Sequence, residues 1–377
     1  MLRMDQMGMG TVDVLVDAAI RNAMVLHAAF GGSTNLVLHV PAIAHAAGLR
    51  RPAAADWASI NRAVPRLVDA LPNGPNNFAT VQVFLAGGVP EVMLHLRRVG
   101  LLDCSVRTVT GETLDENLNW WEQSERRSAL KERLRTLDGI GADDVILSPD
   151  RARARGLTPT ICFPTGNLAP EGSVIKSTSI DPSLIDENNT YRHTGPARVV
   201  VSEGLAIDAI KSGALSCGDV VVLVCGGPAG AGMQEIYQVT SALKNLPFCK
   251  HVAVLTDARF SGVSTGACIG HISPGALAGG PIGRVREGDT IEIVIDRNAL
   301  RGTVNLVGEG NERFSVEEGM RRLTARTPRH DLAAHPALPD DTRLWAALVQ
   351  ASGGVWGGCV YDADEILAQL KRGRCAA

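Results

Sequence analysis

The stretch GGPAGAGMQE (226–235), continued by VLTDARFSGVSTGACIGHISPGALAGGP (254–281), decides how this chain is read. Two continuously apolar runs, VVVLV (220–224) and VAVLT (252–256), each lead into a glycine-rich turn. Apolar runs of that length suit strands buried on both faces, as in a sheet covered by helices. The first turn delivers one carboxylate, Glu235, and the second delivers one hydroxyl, Ser261. Strand ends in α/β proteins point residues into the ligand crevice, so the two are candidate functional groups.

Each also has a plainer reading. A Gly-rich loop before a helix can cradle phosphate, because helix N-termini present free N–H donors. Here GxGxxG is not met, since Glu235 stands where the third Gly would fall, and no GK[ST] follows. The glycines alone suit a tight strand-to-helix turn. Glu235 in the first turn of a helix over 233–244 could equally serve the helix dipole. Ser261 could be a nucleophile, a base or a turn cap. An unactivated hydroxyl is no base near neutral pH, so it would need a metal or fixed donors beside it. Neither His251 nor His271 accompanies a GxSxG motif, which argues against a catalytic triad. His271 reads first as a hydrogen-bonded core histidine.

Working outward, strands are expected at 173–177, 197–201, 220–224, 251–256 and 291–295, with helices at about 203–212, 233–244 and 316–325. The chain before residue 150 is helix-rich: a helix–Gly turn–helix over 11–47 and an amphipathic helix over 54–70, bent at Pro65. A helix opened by Pro90 should run to about Arg98. Another should start at Thr110 or Thr113, and a charged helix should reach about Leu137. Ser33 or Thr34 could cap the second helix of the 11–47 pair. SPDRARARGLTP (148–159) reads as an exposed connection. The expected domains are therefore 1–154 and 155–377.

Composition narrows the function classes. The 377 residues are 45% hydrophobic and 20% charged, ordinary for a soluble globular protein. Aromatics at 4% and a formal charge of −3 leave little for nucleic-acid stacking or attraction to anionic membranes. No segment reaches the roughly 18–20 apolar residues of a membrane span, and MLRMDQMGMGTVD at the start lacks a secretory core. A cytoplasmic location is expected. The eight cysteines contain no CxxC pair and read as scattered core residues rather than a disulfide framework or a self-contained metal site.

GGSTNLVLHVPAIAHAAGL (31–49), TVTGETLDENL (108–118), TGNLAPEGSVIKSTSI (165–180) and 226–281 together resemble the dihydroxy-acid and sugar-acid dehydratases, in order. The similarity is strongest to the sugar-acid branch, notably D-xylonate dehydratases, through LHAAFGGSTN (26–35), FLAGGVPEVMLHL (84–96), ICFPTGNLAPEGSVIK (161–176), DDTRLWAAL (340–348) and GGCVYDADEI (357–366). The resemblance implies a hydro-lyase that converts a 2,3-dihydroxy sugar acid to a 2-keto-3-deoxy acid. It implies a [2Fe–2S] cluster and Mg²⁺, with Glu235 at the GMxE metal position and Ser261 at the catalytic RFSG position. No cysteine here matches the family's cluster motifs, so the cluster is carried onto none of them. The loop also reads GGPAGAGMQE where much of the family has an acid before GP and a proline before GM.

On that basis the chain is expected to be the C-terminal part of such an enzyme. The expected fold is α/β: a remnant of an N-terminal α/β domain, then a C-terminal β-barrel-like, swivelling α/β domain. The N-terminal cluster-binding region is expected to be missing. The implied partners are a small sugar acid and either further copies of the chain or a complementing N-terminal chain. The alternative is a non-catalytic remnant or binding module of the same family.

Overall fold

The computed structural model describes residues 2–71, 73–261, 264–339 and 341–375. The chain divides into two compact units, the first ending at Thr160 and the second beginning at Ile161.

The first unit is helical. Its main helices are Asp17–Phe30, Leu36–Ala46, Ala54–Ala63, Gly88–Arg98, Leu114–Gln123 and Glu125–Asp138. Val25, Leu67, Leu96, Leu134 and Leu147, all fully buried, belong to one apolar cluster. This corrects the expected remnant of an α/β domain. Among the described residues the unit has only isolated bridges such as Val68 to Ile146, and no named strand. It closes a core of its own because the apolar stripes of these helices face one another.

Local chemistry sets the helix ends. Thr113 starts the helix Leu114–Gln123: its hydroxyl accepts the Glu116 N–H, and its own N–H donates to the Glu116 carboxylate at 2.8 Å. The helix expected over 54–70 is not bent at Pro65 but stops at Ala63. Val64, the residue before the proline, is extended at φ −99°, ψ 122°, where the proline ring disfavours helical backbone. Asn35, not Ser33 or Thr34, holds the N-cap position before Leu36–Ala46.

The second unit is a closed barrel. Its strands are β1 (Ile161–Thr165), β2 (Gly172–Lys176), β3 (Thr190–Val200), β4 (Val220–Leu223), β5 (Ala253–Thr256), β6 (Ala267–Ser273), β7 (Thr290–Asp296), β8 (Arg301–Glu309) and β9 (Glu312–Arg313). They run β1-β2-β6-β5-β4-β3-β7-β8, and a parallel β1–β8 pairing closes the ring, with β9 appended to β8. Closure leaves no free edge among those eight. Strands β3 to β6 are mutually parallel. Val220, Val222, Leu255, Ile269, Ile291, Ile293, Val304 and Leu306 form the apolar core. Alternate residues Val221, Leu223 and Val254 are buried on the other face, so the apolar runs are covered on both sides as read.

Because β3 to β6 are parallel, their C-terminal ends share one rim of the barrel. Gly172, opposite Ser273, places the start of β2 on that rim too. Every loop considered next leaves it.

Candidate active site at the barrel rim

The loop after β4 is shaped by what lies beneath it. A Cβ on Gly226 would stand 2.5 Å from the Ala258 Cβ, and one on Gly230 would run into the Cys225 carbonyl. A side chain is therefore excluded at Gly226 by the Ala258 methyl and at Gly230 by close backbone approach. Gly232 and Met233 follow at φ +66° and +65° and turn the chain back toward β5.

That turn sets Glu235 beside the exit of β5. Glu235 pairs with Arg259 in a parallel bridge; the Arg259 N–H donates to the Gln234 carbonyl at 2.9 Å and the Ile236 N–H to the Arg259 carbonyl at 3.0 Å. Arg259 Nε also donates to the Met233 carbonyl at 2.9 Å. Glu235 is exposed and extended, and the helix it was expected to open begins only at Tyr237. The helix-dipole reading of Glu235 thus loses its geometric basis.

Ser261 sits two residues beyond Arg259 and is half-buried, next to the fully buried Phe260. Its carbonyl accepts the Ser264 N–H at 3.0 Å. Gly262, which completes the RFSG motif, lies outside the described residues. The structure therefore brings the two predicted groups to the same rim, on segments hydrogen-bonded to each other. The histidines do not join them as a triad. His251 precedes β5, at the opposite end of that strand from Ser261. His271 is buried, with its backbone N–H on the Ala258 carbonyl and its ring edge-on to Phe260 at 6.5 Å.

Sequence reading passed over Asp257, the residue directly after β5. It is 2% exposed; Oδ1 accepts the Gly226 N–H and Oδ2 the Ala276 N–H, each at 2.9 Å. Burial pushes its carboxyl above the usual carboxylate range, against the opposing pull of the Ala276, Gly226, Cys225 and Gly227 N–H groups. The available signal was an acid placed at the end of a fully apolar strand.

Among the described residues no three or more His, Cys, Asp or Glu side chains gather as a metal site. Glu235 is nonetheless an accessible hard oxygen donor, and Mg²⁺ is commonly held by one or two carboxylates together with substrate and water. Among the described residues no three cysteines gather to hold an iron–sulfur cluster, whose ligands are thiolates. Burial pushes the Cys162 thiol up to about 12 and those of Cys225 and Cys359 up to about 11. Burial also raises Cys268, and Cys104 is raised by burial and by Asp115. A cleft of about 470 Å³ flanks the glycine loop, lined in part by Glu203, Cys225, Gln234 and His335, but not by Glu235 or Ser261.

Family models match both units. Residues 1–117 match the dihydroxy-acid/6-phosphogluconate dehydratase N-terminal model, and residues 150–333 match the C-terminal one. The chain is 59% identical over 373 residues to D-xylonate dehydratase YagF of Escherichia coli K12, covering 99% of this chain and 57% of that protein. It is 59% identical over 372 residues to D-xylonate dehydratase YjhG of the same organism, covering 98% and 57%. A dihydroxy-acid dehydratase of Moorella thermoacetica is 40% identical over 290 residues, covering 77% of this chain and 48% of its own.

These matches correct the expectation that only the C-terminal part is present and the N-terminal region missing. The N-terminal model matches residues 1–117, which carry most of the helices of the first unit. The chain spans a little over half the length of the two D-xylonate dehydratases, 57% of each. No helix among the described residues is long and apolar enough to cross a membrane.

Proposed function

The chain belongs to the dihydroxy-acid/6-phosphogluconate dehydratase family, and from that premise we propose that it is a hydro-lyase acting on a 2,3-dihydroxy sugar acid such as D-xylonate. The product is a 2-keto-3-deoxy acid. The observation that carries this reading is the pairing of Glu235 with Arg259, which sets a carboxylate beside the segment bearing Ser261 on one barrel rim.

In this reading Ser261 is the base and Glu235 the metal ligand. Mg²⁺, when bound, would supply Lewis acidity at the substrate carboxylate and C2 hydroxyl. A serine hydroxyl titrates far above neutral pH unless a positive charge nearby favours the alkoxide, so the Glu235 and Ser261 segments must be held close together. The Ser261 alkoxide takes the C2 proton. The C2–H electron pair becomes the C2–C3 π bond as the C3–O bond breaks. The proton on Ser261 passes to the departing hydroxide, which restores the alkoxide and releases one water. The remaining enol gains a proton at C3 and gives up its C2 O–H proton to solvent, which leaves the C2 ketone. The thiols of this chain receive no role in the departure of the C3 hydroxyl, because among the described residues no three of them gather as a cluster site.

The test is incubation of the chain with D-xylonate and Mg²⁺, after anaerobic supply of iron and sulfide, with the 2-keto-3-deoxy acid identified by NMR. Formation of that product supports the reading, and its absence from the fully supplied protein overturns it.

A further inference from the structure

We propose that Asp257 is a positioning residue, whose carboxylate holds the Glu235 loop and the Ser261 segment in register by accepting backbone N–H groups from two separate turns. The proposal rests on the roles given above to Glu235 and Ser261, and it assigns Asp257 no contact with substrate.

The geometry is a closed circuit. Asp257 Oδ1 accepts the Gly226 N–H at 2.9 Å. The Gly226 carbonyl accepts the Gln234 N–H at 3.0 Å, and the Gln234 carbonyl accepts the Arg259 N–H at 2.9 Å. Arg259 lies two residues from Asp257, so the chain itself completes the ring. Glu235 is the residue immediately outside it, one beyond Gln234, and Ser261 lies two beyond Arg259. Asp257 Oδ2 ties the same ring to the turn after β6 through the Ala276 N–H at 2.9 Å. That turn is packed down on the carboxylate: a Cβ on Gly275 would stand 3.1 Å from Oδ2.

Energetics point the same way. A carboxylate buried without a cation is costly, and backbone donors offset only part of that cost. The largest pulls on Asp257 come from the backbone N–H groups of Ala276, Gly226, Cys225 and Gly227. Such an arrangement is a poor source of stability but an effective clamp, since one side chain accepts from two turns at once. An asparagine has the same shape but only one acceptor oxygen, so it can serve only one of the two turns.

The experiment compares wild type with Asp257→Asn in the full chain, supplied with Mg²⁺, iron and sulfide. Displacement of a base or metal ligand by a fraction of an ångström predicts a fall in kcat of about 10–100-fold. KM, read at saturating Mg²⁺, should change by less than kcat, as expected when reacting groups are misplaced. Amide hydrogen exchange should quicken at Gly226 or Ala276, and at Ile236. Unchanged exchange overturns the clamp, and quickened exchange with kcat intact overturns its positioning role. If wild type shows no turnover, the function reading fails, and exchange alone then decides the clamp. If Asp257→Asn does not fold, Gly275→Ala presses a methyl toward Oδ2 and should give the same kcat loss; an unchanged kcat in that variant overturns the proposal.

Discussion

Glu235 and Arg259 face one another across a parallel bridge in which the Ile236 N–H reaches the Arg259 carbonyl at 3.0 Å. The carboxylate comes from the loop after β4, and the hydroxyl of Ser261 follows the strand next to it. A hydrogen-bonded bridge between the two connections therefore fixes a pair of groups that are 26 residues apart in sequence.

Ser261→Ala removes the proposed base. Loss of a general base lowers kcat by about 10²–10⁴-fold. The variant should keep its fold, because Ser261 is only half-buried at the rim. Steady-state kinetics beside thermal unfolding check this; a kcat within tenfold of wild type would remove Ser261 from the chemistry.

Glu235→Gln keeps the size of the side chain and discards its charge. Exposed as it is, the change should leave Tm nearly unaltered. The Mg²⁺ concentration for half-maximal activity should rise by about 10–100-fold, as expected for disturbing a metal site. Titration of activity against Mg²⁺ reads this directly, and an unchanged midpoint would take Glu235 off the metal.

Gly230→Ala tests the loop rather than the chemistry. Its Cβ would overlap the Cys225 carbonyl, and backbone there cannot yield without moving the turn. Overpacking of this kind destabilises by about 1–3 kcal/mol. Denaturant unfolding should show it, whereas Gly232→Ala, with open space at the Cβ, should suffer chiefly from its φ of +66°.

Glu91 makes the first unit acid-sensitive. Burial alone would raise its pKa, but hydrogen bonds from Arg127 at 2.7 and 2.8 Å and from Lys131 at 2.8 Å overcome that and hold it at about 2. A depressed carboxylate pKa stabilises the fold above the unfolded value, here taken as 4.5, and that stability is lost as pH falls toward 2. The shift corresponds to about 3 kcal/mol. Glu91→Gln should flatten the pH dependence of unfolding between pH 4.5 and 2; an unaltered slope would mean the cluster does not control it.

Much of the barrel could be read from sequence because its central strands are buried on both faces. VVVLV and VAVLT carry their apolar runs without interruption, and so does the TIEIVID strand in alternation. β1, β6 and β8 were passed over because each carries a residue that argues against a strand. Pro164 lies in β1, where its carbonyl accepts the Ser173 hydroxyl at 2.8 Å. His271 takes φ +55° in β6, and β8 contains Gly302 and Asn305, the latter accepting the Asn167 N–H at 2.9 Å. The motifs that contain Glu235 and Ser261 single them out as candidates, and both stand at the barrel rim. Asp257 was not legible, because its role lies in backbone N–H groups contributed by two distant turns, which no local pattern displays. The state of the first unit was misjudged for a related reason. Cysteine spacing reports on a cofactor site, whereas the packing of Val25, Leu67 and Leu134 reports on the core.

The central claim is that this chain takes the C2 proton from a sugar acid by way of Ser261 and expels the C3 hydroxyl. Its most direct test is turnover of D-xylonate in D₂O by the supplied wild type and by Ser261→Ala, with the product examined by NMR. The account predicts a 2-keto-3-deoxy acid carrying solvent deuterium at C3 from wild type, and almost none from the variant. No such product from wild type, or equal amounts from both proteins, would contradict it.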